Sequence, residues 1–175
     1  MENLQYPIGK PQYVETATNE QRAGWIEEFS QAPARLESGV ASLSEAQLDT
    51  PYRPGGWTVR QVCHHLPDSH SNGYVRTKLA LTEESPIIKP YLEDQWAKLP
   101  DSSLPIGIAF DHYRAVQARW TAVWKRVRGE QWAKTYIHPE YMHHYSLDQM
   151  LQLYTWHGKH HLAQITSLKA RMNWI

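Results

Sequence analysis

Ser146-Leu147-Asp148-Gln149-Met150-Leu151-Gln152-Leu153-Tyr154-Thr155-Trp156-His157-Gly158-Lys159-His160-His161-Leu162-Ala163-Gln164-Ile165-Thr166-Ser167-Leu168-Lys169-Ala170-Arg171-Met172 reads as one long amphipathic helix. Ser146 followed three residues later by Gln149 is a capping box, in which each side chain satisfies a backbone N–H that the first helical turn leaves orphaned. Met150, Tyr154, Ile165, Leu168 and Met172 then recur on one apolar stripe. His157 and His161 fall inside that stripe, one turn apart, so their rings leave the same face. His160 lies about 100° from His161, towards the edge.

Three further segments carry helical periodicity. The first spans roughly residues 20–42, with Trp25, Phe29, Leu36 and Val40 on its apolar face. Its start is a capping box at Thr18-Asn19-Glu20-Gln21, and Pro33 is expected to kink it. The second follows Gly55-Gly56-Trp57, opens with the box Thr58-Val59-Arg60-Gln61 and runs to about Thr82. The third spans roughly residues 105–128, with Tyr113, Val116 and Trp120 inward, and is expected to stop near Gly129. A Pro-bearing connection, Ser85 to Leu104, is long enough to cover a site or form a contact surface. Residues 131–145 are aromatic and irregular, with room for a short extended segment. Four such helices with a long crossover predict an all-α four-helix bundle, read as a single domain over residues 1–175.

Composition removes several function classes. Lys+Arg and Asp+Glu are equal at 18 each, which leaves no basic footprint for nucleic acid or an anionic membrane. No apolar run approaches membrane-spanning length, and Met1 to Tyr6 lacks the basic and apolar regions of a leader. A lone cysteine, Cys63, excludes an internal disulfide and suits a cytoplasmic setting. Ten histidines and eight tryptophans stand out; the tryptophans read first as large core side chains.

The second segment contains the doublet His64-His65. Against the stripe Val59, Val62, Leu66, Ser69 and Gly73, His65 lies at the margin, within about 60°, and His64 points nearly the opposite way. Cys63, about 160° from His65, is assigned to packing. His65, His157 and His161 therefore converge as a candidate metal site with no fourth protein ligand evident, an arrangement that keeps a coordination position open. The alternative is that each is a hydrogen-bonded core histidine. His70, His112, His138, His143 and His144 are assigned to surface or loops, with His138 and the 143–144 pair able to approach the bundle mouth. Tyr154, Asn72 and Arg76 are candidate pocket residues on the faces that carry the histidines.

The run Pro51-Tyr52-Arg53-Pro54-Gly55-Gly56-Trp57-Thr58-Val59-Arg60-Gln61-Val62-Cys63-His64-His65-Leu66, followed by Asp68-Ser69-His70, resembles the DinB-like superfamily, specifically its YfiT-like metal-dependent hydrolases. Thr82-Glu83-Glu84-Ser85-Pro86-Ile87-Ile88-Lys89-Pro90-Tyr91 and Trp156-His157-Gly158-Lys159-His160-His161-Leu162-Ala163 carry the same resemblance. It implies a DinB-type bundle, one divalent ion held by His65, His157 and His161, and a homodimer. Some relatives transfer thiols such as bacillithiol, and related bundles use mycothiol. Pro67 and Gln164 depart from the family pattern: the first can bend the second helix beyond His65, the second stands where some relatives have another histidine.

Three functions follow as expectations. The first is a metal-dependent hydrolase acting on a small molecule, with Zn2+ the default ion and Ni2+ suited to the same ligands. The second is a bacillithiol-type S-transferase, favoured by basic residues such as Arg53, Arg60 and Arg76 at the mouth. The third is a non-enzymatic metal-binding stress protein. No organic cofactor is expected.

Overall fold

The computed structural model describes residues 4–140 and 142–174; of the N-terminal run considered as a leader, residues 1–3 lie outside it, as does residue 141 of the irregular segment. Four rods form a bundle. The first is broken into α1 (Asn19–Ser30) and α2 (Ala32–Val40). The break replaces the expected kink, because Pro33 stands in the first turn of α2, where its missing N–H costs nothing. After the single turn α3 (Glu45–Leu48), α4 (Val59–Thr82) runs unbroken through Pro67. The short α5 (Glu93–Trp96) and a 3-10 turn (Pro100–Ser103) lie in the crossover. The third rod, α6, is Ile106–Trp124, ending before Gly129, which instead opens a 3-10 turn at positive φ. The fourth, α7, is Leu147–Arg171.

The three capping boxes read from sequence are formed at Thr18/Gln21, Thr58/Gln61 and Ser146/Gln149, and Ser44/Gln47 makes another ahead of α3. Residues 131–145 supply a small antiparallel hairpin, β1 (Thr135–His138) with β2 (His143–Ser146). The crossover docks beside β1 through Ile88 N–H to the Ile137 carbonyl and Ile137 N–H to the Pro86 carbonyl, at 3.0 and 2.9 Å.

The packing order differs from a simple up-and-down bundle. Both α4 and the α1/α2 rod pack against α6 and against α7. Chain-consecutive rods one and two are thus diagonal across the bundle, as are three and four, so the connections joining each pair cross the bundle ends. The core has two apolar halves. One gathers Phe29, Trp120, Trp124, Leu147 and Tyr154; the other gathers Leu36, Val62, Leu66, Tyr113 and Ile165. On α7 the histidines fall between these halves; on α4 His70 does, while His64 and His65 sit within the second.

Close approach is most demanding at Gly73, where an added Cβ would collide with the rings of Trp120 and Tyr154. Gly73→Ala is expected to destabilise the protein by about 1–3 kcal/mol, seen as a lowered midpoint in urea unfolding.

Candidate metal centre

Helical phase and rod packing together place His65 of α4 opposite His157 and His161 of α7. One ring nitrogen from each lies within 4.8 Å of the other two. His157 Nε2 is 3.4 Å from His65 Nε2 and 3.1 Å from His161 Nε2. His65 and His161 are buried and His157 is partly open to a cavity. Burial, with mutual repulsion adding to it, holds His65 at a pKa of about 3 and pushes His157 and His161 well below the ordinary 6.5. All three are neutral at pH 7, the form that ligates metals.

The hydrogen bonds decide which nitrogen of His161 is bare. Gln164 Nε2 donates to the Gln5 carbonyl and contacts His160 Nε2, at 2.9 and 3.0 Å, which turns Oε1 towards His161. His161 Nδ1–H donates to that oxygen at 2.9 Å, leaving Nε2 as a lone pair facing His157. Nitrogens about 2.0–2.1 Å from a tetrahedral zinc sit about 3.3 Å from one another. The spacings of 3.1 and 3.4 Å fit a shared divalent ion.

The site opens on a cavity of about 480 Å³. Trp57, presented by the turn at Gly55 (φ +68°), lies 4.5 Å from His65 ring to ring and donates from Nε1 to Asp94 Oδ1 at 3.0 Å. Tyr91, Glu93 and Asp94 of the crossover form part of the wall, with Gln5 and Tyr6 from the N-terminal segment and Arg53 near the Gly55 turn.

The structure separates the remaining candidates. Tyr154 is buried behind His157, its hydroxyl donating to the Ser69 carbonyl at 3.2 Å, and does not line the cavity. Asn72 and Arg76 are not in the wall either. They stand seven and eleven residues beyond His65, about 10 and 16 Å along the helix. Asn72 turns back to the Asp68 carbonyl and Arg76 reaches the Lys89 carbonyl. Arg60 is committed to Asp49 and Glu45, so of the three arginines expected at the mouth only Arg53 lines the cavity. His138, His143 and His144 are absent from the wall. Cys63 packs in the core, with burial pushing its thiol up to about 12.

His70 was assigned to the surface and is instead fully buried, its ring beside His157, Tyr113 and Tyr154. Around α4 it lies about 40° from Leu66 and 20° from Val59, inside the apolar stripe, and that phase is the signal that marks it as a core residue. His64 and His160 are buried as well: His64 Nε2 meets the Leu104 carbonyl at 3.0 Å, and His160 stacks on Trp156. Trp57 and the crossover carboxylates were not singled out from sequence. The length of the crossover was the one signal pointing to the carboxylates; none pointed to Trp57.

The chain is a helical bundle with three imidazoles gathered at a candidate metal site beside a cavity. Residues 28–165 match the DinB superfamily, and the chain belongs to that family. It is 47% identical over 174 residues, 99% of this chain and 100% of the relative, to a Bacillus cereus protein named "Putative metal-dependent hydrolase". A Bacillus thuringiensis relative of the same name is likewise 47% identical over 174 residues, with the same coverage. Among solved structures it is similar to YfiT from Bacillus subtilis, described as a probable metal-dependent hydrolase with an unusual four-helix bundle topology. That likeness has a TM-score of 0.97 at 44% identity and covers 99% of each chain.

The lowered histidine pKa values set an acid limit on the metal-free protein. An unfolded chain protonates these rings near 6.5, whereas the folded chain holds His65 and His70 neutral to about 3 and His160 to about 4. The unfolded state therefore binds more protons between these values, and stability falls as pH falls below about 6.5. Melting temperatures measured from pH 7.5 to 4.5 in the presence of a chelator should decline steadily; a flat profile contradicts the assignment.

Proposed function

We propose that this protein is a metal-dependent hydrolase in which His65, His157 and His161 hold one divalent ion, Zn2+ in the first instance and Ni2+ as a second candidate. The observation that carries the reading is the convergence of three neutral imidazoles on one point at the floor of a cavity. Three protein ligands leave a position open, whereas a structural zinc is usually closed by four. Such an ion, when bound, supplies a Lewis acid and lowers the pKa of a coordinated water. The names of the relatives support the same class.

The chain's own groups do the rest. The cavity, about 480 Å³, suits a small-molecule substrate. Trp57 packs beside His65 in the cavity wall and holds Asp94. Glu93, an exposed carboxylate of the crossover, stands in the same wall. A single buried cysteine accords with a cytoplasmic enzyme.

A second reading, transfer of a low-molecular-weight thiol such as bacillithiol, has Arg53 in its favour, a cation in the wall suited to an anionic co-substrate. Both readings share the ligand set, so the experiment separates them by product. Purified protein loaded with Zn2+ or Ni2+ is assayed on ester and amide probes, and on bacillithiol with a model electrophile. Hydrolysis that requires metal supports the first reading; conjugation without hydrolysis supports the second. His157→Ala should abolish stoichiometric metal uptake. Wild-type protein that takes up neither ion refutes both.

A further inference from the structure

The buried polar groups behind the histidine site form a continuous chain that ends on backbone. Gln117 Nε2 donates to the Phe29 carbonyl, which fixes the amide and turns Oε1 towards His70. His70 Nδ1 lies 2.8 Å from that oxygen and must donate to it, since a carbonyl oxygen only accepts. His70 Nε2 is therefore an acceptor. Two groups face it, each at 3.5 Å: the Tyr113 hydroxyl and His157 Nδ1. The His157–His70 approach is long, yet His70 is fully buried and His157 Nδ1 has no other partner within hydrogen-bond reach among the described residues.

We infer that His70 is a positioning residue: with Gln117 and the Phe29 carbonyl it fixes His157 as the Nδ1–H tautomer and so points the bare Nε2 of His157 at the metal position. The inference rests on the metal reading above. The alternative tautomer is a real competitor. With its proton on Nε2, His157 would donate to His161 Nε2 at 3.1 Å and fill the position with a histidine–histidine hydrogen bond. Gln164 already locks His161, so the two α7 ligands are set from opposite sides, one by an amide and one by a second imidazole. Partners of this kind outside the ligand set commonly change metal affinity by about 10–100-fold when removed.

The test starts with the metal-free, full-length wild type. Long-range 1H–15N correlation spectra at pH 7.5 report the tautomer of each histidine, with His157 assigned by its loss in His157→Ala. The Nδ1–H form at His157 is expected; the Nε2–H form overturns the inference. His70→Phe, which keeps a ring in the core but removes the acceptor, should then weaken Zn2+ binding in chelator competition by roughly tenfold or more and shift His157 towards Nε2–H. Affinity within about twofold of wild type, or weakened affinity with the His157 tautomer unchanged, overturns it. Where His70→Phe does not fold, Gln117→Leu is read by the same two measurements, because it frees the His70 ring to change tautomer. Wild type that binds no Zn2+ refutes the metal reading itself, and the spectrum of the metal-free protein still decides the tautomer.

Discussion

Three uncharged imidazoles are brought together in the middle of an apolar bundle, and much of the surrounding architecture serves that meeting. Burying a polar ring without a partner costs about 1–3 kcal/mol. Three of the histidines at the site have a partner outside the ligand set: His161 with Gln164, His70 with Gln117, and His157 with His70. The nitrogens that remain turned inward are the ones a cation would satisfy. Apolar packing above and below, from Trp120 and Leu147 at one end to Leu66 and Ile165 at the other, keeps this polar layer narrow and its rings fixed.

The diagonal order of the rods explains why so many connections gather around the site. Crossing the bundle ends takes chain length, and the crossing segments supply parts of the cavity that the rods do not. The connection ahead of α4 contributes Arg53 and Trp57, and the crossover after α4 contributes Tyr91, Glu93 and Asp94. The bond from Trp57 to Asp94 ties these two connections together over His65. Metal-ligand candidates thus come from rigid helices, while the groups that would meet a substrate come from loops, a division that lets one scaffold serve different substrates.

What could be read from the sequence was what is local. Capping boxes at Thr18, Thr58 and Ser146 act within four residues, and helical phase on α4 and α7 singled out His65 and His161 from their doublets. Pro33 reads as a kink within one helix, but its place in the first turn of α2 makes it a break, and α6 ends at Trp124 because Arg126 and Val127 close three-residue turns instead of continuing the helix. His70 was misassigned. It lies about 20° from Val59 and 40° from Leu66 around α4, inside the apolar stripe, and so was legible by the same helical phase that singled out His65; it packs there against Phe29 and Tyr113. Asn72 and Arg76 share a face with His65 but stand too far along the axis, which a wheel projection does not show.

The central claim is that His65, His157 and His161 share one divalent ion with a position left open. Anomalous diffraction from crystals of the zinc-loaded protein, collected on either side of the zinc absorption edge, tests it most directly. The account predicts one strong peak per chain, about 2.0–2.1 Å from the Nε2 atoms of all three histidines, with a fourth contact to solvent or substrate. A peak held by other residues, or none in crystals shown to contain zinc in solution, would contradict it.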